Sequence, residues 1–254
     1  MDIEQRHLWL ASAPSLLFWK LSPEQNGAQG TILFYHGLAG AKEGAGSIPF
    51  CLALAQAGFL VVSIDLVGHG ERRSPDFAAR FLQLQERKAT APGAFEADLA
   101  TVVRETAQEV PQVIDDLLAR GWAHAGGIGA AGISLGADVV YAAIVVEPRV
   151  GAATAILGSP EWKLSSPHSP HLFPERFYPV ALLSQTAGAD THVPPEAVRT
   201  LHQRLLPFYA RAPERLGYIE YAGLDHDLSE QAWRQTVEQM IAWFHRFLST
   251  DESS

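Results

Sequence analysis

Three residues far apart along the chain have the types needed to turn a hydroxyl into a nucleophile. Ser134 stands in Gly132-Ile133-Ser134-Leu135-Gly136, a G-x-S-x-G pentapeptide. Where a strand ends and a helix begins, such a pentapeptide forces a sharp turn, and the small flanking residues let the hydroxyl stand clear of the sheet. A serine hydroxyl is a weak nucleophile at neutral pH, so a histidine must take its proton and a carboxylate must hold that histidine in the right tautomer. Downstream lie Asp190, in Gly188-Ala189-Asp190-Thr191-His192-Val193-Pro194, and then His226, in Gly223-Leu224-Asp225-His226-Asp227. A tetrahedral intermediate also needs N–H donors aimed at its oxyanion. The N–H of Leu135, directly after the serine, is one candidate. The N–H of Leu38, in His36-Gly37-Leu38-Ala39-Gly40 after an early strand, is the other.

Other residues compete for these roles. Glu161 is a second candidate acid, Asp225 and Asp227 flank the histidine, and Asp190 would also serve as a cap ahead of Pro194-Pro195. His192 and His202 are rival bases, the first close to the acid and the second on a predicted helix face. His168-Ser169-Pro170-His171 invites a metal reading, but the chain has no H-E-x-x-H, no paired cysteine and no carboxylate cluster beside those histidines. Neither a metal nor a cofactor is therefore expected. His69 in Gly68-His69-Gly70 reads as a structural turn. Arg72, Arg73 and Arg80 suit either an anionic substrate or a salt-bridged face.

The elements that must position these residues are legible as short apolar runs alternating with longer amphipathic stretches. Strands are predicted at 31–35, 60–65, 127–133, 150–157, 180–184 and 218–221. They are apolar almost throughout, as strands covered on both faces are. Helices are predicted at 48–57, 95–120, 135–146, 195–209 and 229–248, the second broken near Pro111. In the last, Trp233, Val237, Met240, Ile241, Phe244, Phe247 and Leu248 mark one buried face. Asp227 or Ser229 is placed to cap it, with Glu230 completing a capping box from Asp227. Alternating strand and helix imply an α/β fold: a mostly parallel sheet with helices on both faces. An N-terminal antiparallel hairpin is expected around Ser12-Ala13-Pro14. Segments 71–94 and 159–179 fit no core element and are expected to cover the site, leaving a minimal lid. In the second, Trp162, Phe173, Phe177 and Tyr178 are candidates for lining a substrate pocket, or for packing.

The ordered set His36-Gly37, Asp65-Leu66-Val67-Gly68-His69-Gly70, the elbow at Ser134, Gly-Ala-Asp190-Thr-His-Val-Pro and His226 resembles the α/β-hydrolase superfamily. Within it the chain is similar to small serine carboxylesterases related to dienelactone hydrolases and to prolyl-oligopeptidase-like hydrolases. The resemblance runs from about Thr31 to the C-terminus. It implies the α/β-hydrolase fold, Ser134, Asp190 and His226 as a triad, and His36 and Gly37 as shaping the oxyanion loop. It departs from dienelactone hydrolases proper, whose nucleophile is cysteine, and the thirty or so residues ahead of Thr31 are not expected to form a propeller. The activity implied is hydrolysis of carboxylic esters of small to medium acyl chains through an acyl-enzyme, with a small-molecule ester as partner. Thioester or short-peptide hydrolysis is the alternative within enzymes, and a non-catalytic ligand-binding module the alternative outside them. Because the base must be neutral to accept a proton, a pH–rate profile is expected to fall as pH drops through roughly 6 to 7.

Composition sets the outer bounds. The chain has 254 residues, enough for one large domain spanning 1–254, and 47% of them are hydrophobic. With 19 Lys and Arg against 28 Asp and Glu, the net charge of −9 gives no footprint for nucleic acid or an anionic membrane surface. The acidic start Met1-Asp2-Ile3-Glu4 lacks the basic region of a secretory signal, so a cytoplasmic location is expected. The lone cysteine, Cys51, reads as a small core filler.

Overall fold

A computed structural model describes residues 2–162 and 167–248. Its eight strands are β1 (Glu4–Leu10), β2 (Ala13–Trp19), β3 (Thr31–Tyr35), β4 (Leu60–Ile64), β5 (Ile128–Ile133), β6 (Val150–Ile156), β7 (Ala181–Ala187) and β8 (Leu216–Tyr221), and they form one sheet in the order β1-β2-β4-β3-β5-β6-β7-β8. β1 pairs antiparallel with β2, and β2 antiparallel with β4; from β4 to β8 every pairing is parallel. The helices are α1 (Pro23–Gln29), α2 (Ile48–Gln56), α3 (Phe77–Thr90), α4 (Pro92–Ala119), α5 (Leu135–Val146), α6 (Glu196–Leu205) and α7 (Glu230–Leu248).

Alternation along the strands divides the core in two. Leu33, Tyr35, Leu60, Val62, Ala130 and Ala153 face α4, α5 and α6, while Ile32, Phe34, Val61, Ala131 and Ala152 face α2 and α7. Both faces are covered, which is why the strands read as unbroken apolar runs. Cys51 is fully buried in the second of these cores. Among the described residues no helix is long and apolar enough to cross a membrane.

Parallel register carries the chain to one edge of the sheet after every strand from β3 onward. Tyr35 lies opposite Gly132, Ile133 opposite Ile156, Ile156 opposite Gln185, and Ala187 opposite Tyr221. The loops holding His36, Ser134, Asp190 and His226 therefore leave the same rim, where open α/β sheets hold their ligands.

Three expectations are corrected. α4 runs unbroken through Pro111. Val103, Ala107, Val110, Ile114 and Leu117 are buried along one face on both sides of the proline, and that continuous packing offsets the roughly 3 kcal/mol of a lost bond and a ring clash. Segment 71–94 is largely helical, because α3 is built from good helix formers in Ala78-Ala79-Arg80-Phe81-Leu82-Gln83-Leu84-Gln85-Glu86-Arg87-Lys88. Most of α3 is exposed; Phe77, Phe81 and Leu84, at helical spacing, are half-buried. At the start of α7, Ser229 Oγ accepts the N–H of Ala232 at 3.3 Å; this is a cap from Ser229, not the box from Asp227.

Candidate active site

The elbow is built by close approach. A Cβ on Gly132 would lie 2.3 Å from Gly136 O, and one on Gly136 would lie 2.1 Å from Tyr35 O. Both flanking positions thus exclude any side chain. Ser134 itself has φ 55° and ψ −122°, a conformation costing on the order of 1–3 kcal/mol in a residue other than glycine. It is held there by its N–H to Ile156 O at 2.8 Å and by its carbonyl, which accepts the N–H groups of Ala137 at 2.8 Å and Asp138 at 3.2 Å. The first turn of α5 therefore locks the serine in place.

His226 spans the gap between the serine and the acid. Its Nε2 lies 3.1 Å from Ser134 Oγ and its Nδ1 lies 2.6 Å from Asp190 Oδ2. The other oxygen of Asp190 accepts the N–H groups of His192 and Val193, each at 2.8 Å. Asp190 is buried and a carboxylate has no proton to give, so Nδ1–H donates to it and the lone pair of Nε2 faces the hydroxyl. Asp190 does not cap α6, whose N-cap is Pro195 with no side-chain bond; its second oxygen instead holds the N–H groups of its own loop.

The competing residues are placed elsewhere. Asp225 Oδ1 accepts the N–H of His226 at 2.7 Å and of Thr191 at 3.3 Å, tying the two loops together. His192 lies with its ring 5.8 Å from that of His226. His202 is buried under the sheet rim, with Nε2 2.9 Å from Ser184 Oγ, and burial pushes it down to about 4. His171 Nδ1 sits 2.7 Å from Ser169 Oγ. Three potential metal ligands among the described residues do come together, in Asp190, His192 and Asp225, but both oxygens of Asp190 are already engaged as described.

The loop after β3 abuts the elbow: a Cβ on Gly37 would lie 3.5 Å from that of Ser134. Gly37 O accepts the N–H of Gly40 at 3.0 Å and lies 2.7 Å from His36 Nδ1. A trans peptide points its N–H opposite to its carbonyl, so these two contacts orient the N–H of Leu38. Neither Leu38 nor Leu135 donates its N–H in a backbone hydrogen bond among the described residues. Burial pushes His36 down to about 4, which keeps the ring neutral and leaves its Nε2 free to accept the N–H of Leu66 at 3.2 Å. Behind the loop, fully buried Asp65 accepts the N–H of Lys42 at 2.7 Å, Lys42 Nζ at 3.0 Å and the N–H of Glu71 at 2.9 Å. Arg73 holds Ala39 O and Gly40 O and lies over the ring of Phe77. Arg72 is bidentate to Glu109, and Arg80 pairs with Asp76. His69, the predicted turn histidine, contacts Val67 O through Nδ1 at 3.0 Å.

Beside the elbow lies a cavity of about 310 Å³, walled by α4 residues such as Leu99 and Val103, by Trp162, Val193 and Pro194, and by the carboxylates of Asp138 and Glu161. Trp162 is the one member of the predicted aromatic set that lines it. Phe177 is fully buried in the core, Tyr178 packs edge-on against Tyr209, and Phe173 lies under the Arg176 guanidinium. These three are packing residues, because the chain from Ser169 to Val180 folds back on α5 and α6 rather than over the serine.

Asp138 was not legible as a site residue. Its only sequence signal is one carboxyl within the apolar run Leu135–Val146. Oδ1 accepts the N–H of Ser159 at 2.6 Å, yet burial outweighs that bond and pushes the carboxyl up to about 8. Between the ordinary carboxylate range and pH 8 the unfolded chain has released this proton while the folded chain holds it, so stability falls as pH rises through that window. Asp138→Asn keeps an acceptor for Ser159. It is expected to stabilise the fold most at pH 9 and least at pH 4.5, by about 1–2 kcal/mol at the upper end once solvent in the cavity is allowed for. Thermal unfolding at both pH values measures this; an equal shift at each would contradict it.

No protein-family model matches the chain. It is 23% identical over 246 residues to a Bacillus subtilis protein named "Putative esterase YitV", with 85% of this chain and 89% of that protein covered. Among solved structures it is similar to TT1662 from Thermus thermophilus, with a TM-score of 0.78, 21% identity and both chains covered in full. It is also similar to the acylaminoacyl peptidase of Pyrococcus horikoshii, with a TM-score of 0.75 and 16% identity; all of this chain but 43% of that one is covered. The fold is that of the α/β-hydrolases.

Proposed function

We propose that this chain is a serine hydrolase that cleaves carboxylic esters of small to medium acyl chains through an acyl-enzyme. The observation that carries the reading is the continuous path from Asp190 through His226 to Ser134 Oγ, with contacts of 2.6 and 3.1 Å. Ser134 Oγ attacks the ester carbonyl as His226 Nε2 takes its proton, and Asp190 stabilises the imidazolium that forms. The N–H groups of Leu38 and Leu135 hold the oxyanion, each worth about 3–4 kcal/mol in comparable sites. The intermediate collapses as His226 returns the proton to the leaving alkoxide. A water, deprotonated by the same nitrogen, then releases the acid and restores the serine.

The openings beside the elbow, about 310 Å³ on the α4 side and about 610 Å³ between α2 and α7, lie in the range of small-molecule pockets and support small to medium substrates. The esterase name of the B. subtilis relative supports the ester reading. Amide hydrolysis is the second reading, favoured by the likeness to an acylaminoacyl peptidase. Treatment with a fluorophosphonate, followed by mapping of the adduct, tests the nucleophile, and rates on matched ester, thioester and anilide substrates rank the bond types. Absence of label from Ser134 would remove the proposal.

A further inference from the structure

We propose that the groove between α2 and α7 is a subsite for an alkyl chain of the substrate ester, an inference that rests on Ser134 being the nucleophile. The groove has a volume of about 610 Å³ and an apolar floor of Pro49, Phe50, Ile133, Trp233 and Val237. It is not a separate feature of the surface. Ala45, Gly46 and Ile133 line both it and the cleft formed by the His36–Gly40 loop, and Ile133 is joined directly to the serine. An ester carbonyl seated under that loop thus has a continuous apolar path leading away from it.

The floor is preorganised. Phe50 stacks on Phe34 with ring centroids 5.7 Å apart and meets Trp233 edge-on at 5.6 Å. Charge is kept to the rim, where Glu230, Arg234 and Glu238 are exposed and the first two pair with each other. The cavity on the other side of the elbow contains Asp138, Glu161 and Glu196. A hydrocarbon chain gains from losing water against Phe50 and Trp233, whereas in the other cavity it would lie against the polar carboxyl of Asp138. The two openings next to the nucleophile therefore differ in chemistry, and the alkyl chain belongs to the groove.

Gly46 supplies the test. A Cβ built there meets no atom within 4 Å, so a larger side chain obstructs the groove without displacing the fold. kcat/KM is measured for 4-nitrophenyl esters from acetate to octanoate, which lengthen the acyl side, and for alkyl acetates from ethyl to octyl, which lengthen the alcohol side. In the parent protein one series is expected to rise about threefold to fourfold per methylene until the groove is full. Gly46→Phe is expected to flatten that rise to within about twofold across the whole series. Val237→Trp, which obstructs the groove from the opposite wall, is expected to do the same. Thermal midpoints show that each variant is folded, and fluorophosphonate labelling shows that Ser134 still reacts. A flat parent profile in both series, or a rise that survives both substitutions, with Ser134 labelled throughout, overturns the subsite alone. Failure to label Ser134 in the parent protein overturns the nucleophile, and the subsite with it.

Discussion

Ser134→Ala is expected to lower kcat for 4-nitrophenyl butanoate by about 10⁵-fold or more, the scale seen when a triad serine is removed from other hydrolases. The substitution is structurally mild. Alanine keeps the Cβ, and among the described residues the hydroxyl's side-chain hydrogen bond is with His226. The backbone bonds to Ile156 O, Ala137 and Asp138 that hold the elbow are untouched. Stability is therefore expected to change little while turnover collapses. Residual activity within about tenfold of the parent, in protein shown by mass to be free of it, would mean that another group does the chemistry.

Asp190→Asn is expected to reduce kcat by about 10³–10⁴-fold, for a reason of geometry rather than of charge alone. One oxygen of Asp190 accepts two backbone N–H groups, from His192 and Val193. An asparagine must put its carbonyl oxygen there, because an amide NH₂ facing two donors would leave all of them unpaired. Its NH₂ group is then turned toward His226 Nδ1, where the carboxylate oxygen lies 2.6 Å away in the parent. An NH₂ donor requires the lone pair on Nδ1 and so moves the ring proton to Nε2, where it faces Ser134 and blocks proton acceptance. Asp225→Asn is the control, because among the described residues the hydrogen bonds of Asp225 come from backbone N–H groups; its effect is expected to stay within about tenfold. Steady-state kinetics on both variants decide between them. Equal losses would mean that Asp190 does not orient the histidine.

How much was readable beforehand differs by level. The strands and helices around the site follow from local features: β-rich apolar runs, the 3.6-residue period of α7, and a glycine pair that only a tight turn needs. Where the local signal is weak, structure and expectation part. α3 has helix-forming residues but little buried face, and α4 crosses Pro111 because packing on both flanks outweighs a local penalty. For Asp138, the telling property is its enclosure by α4, Ser159 and Trp162 at the wall of a cavity, to which a one-dimensional pattern is blind.

Residue types and their order along the chain were sufficient for the α/β architecture and for singling out Ser134, Asp190 and His226, which the structure brings within hydrogen-bond reach of one another, because the chemistry of each step admits few side chains and the turn at the serine admits only small neighbours. They were not sufficient to give Asp190 two simultaneous partners, to send Phe173, Phe177 and Tyr178 into packing, or to open an apolar groove beside an acidic cavity. Those outcomes depend on distances between segments that meet only across the sheet. Such distances are set by how strands align and how helices pack, through many weak contacts that no single stretch of chain contains.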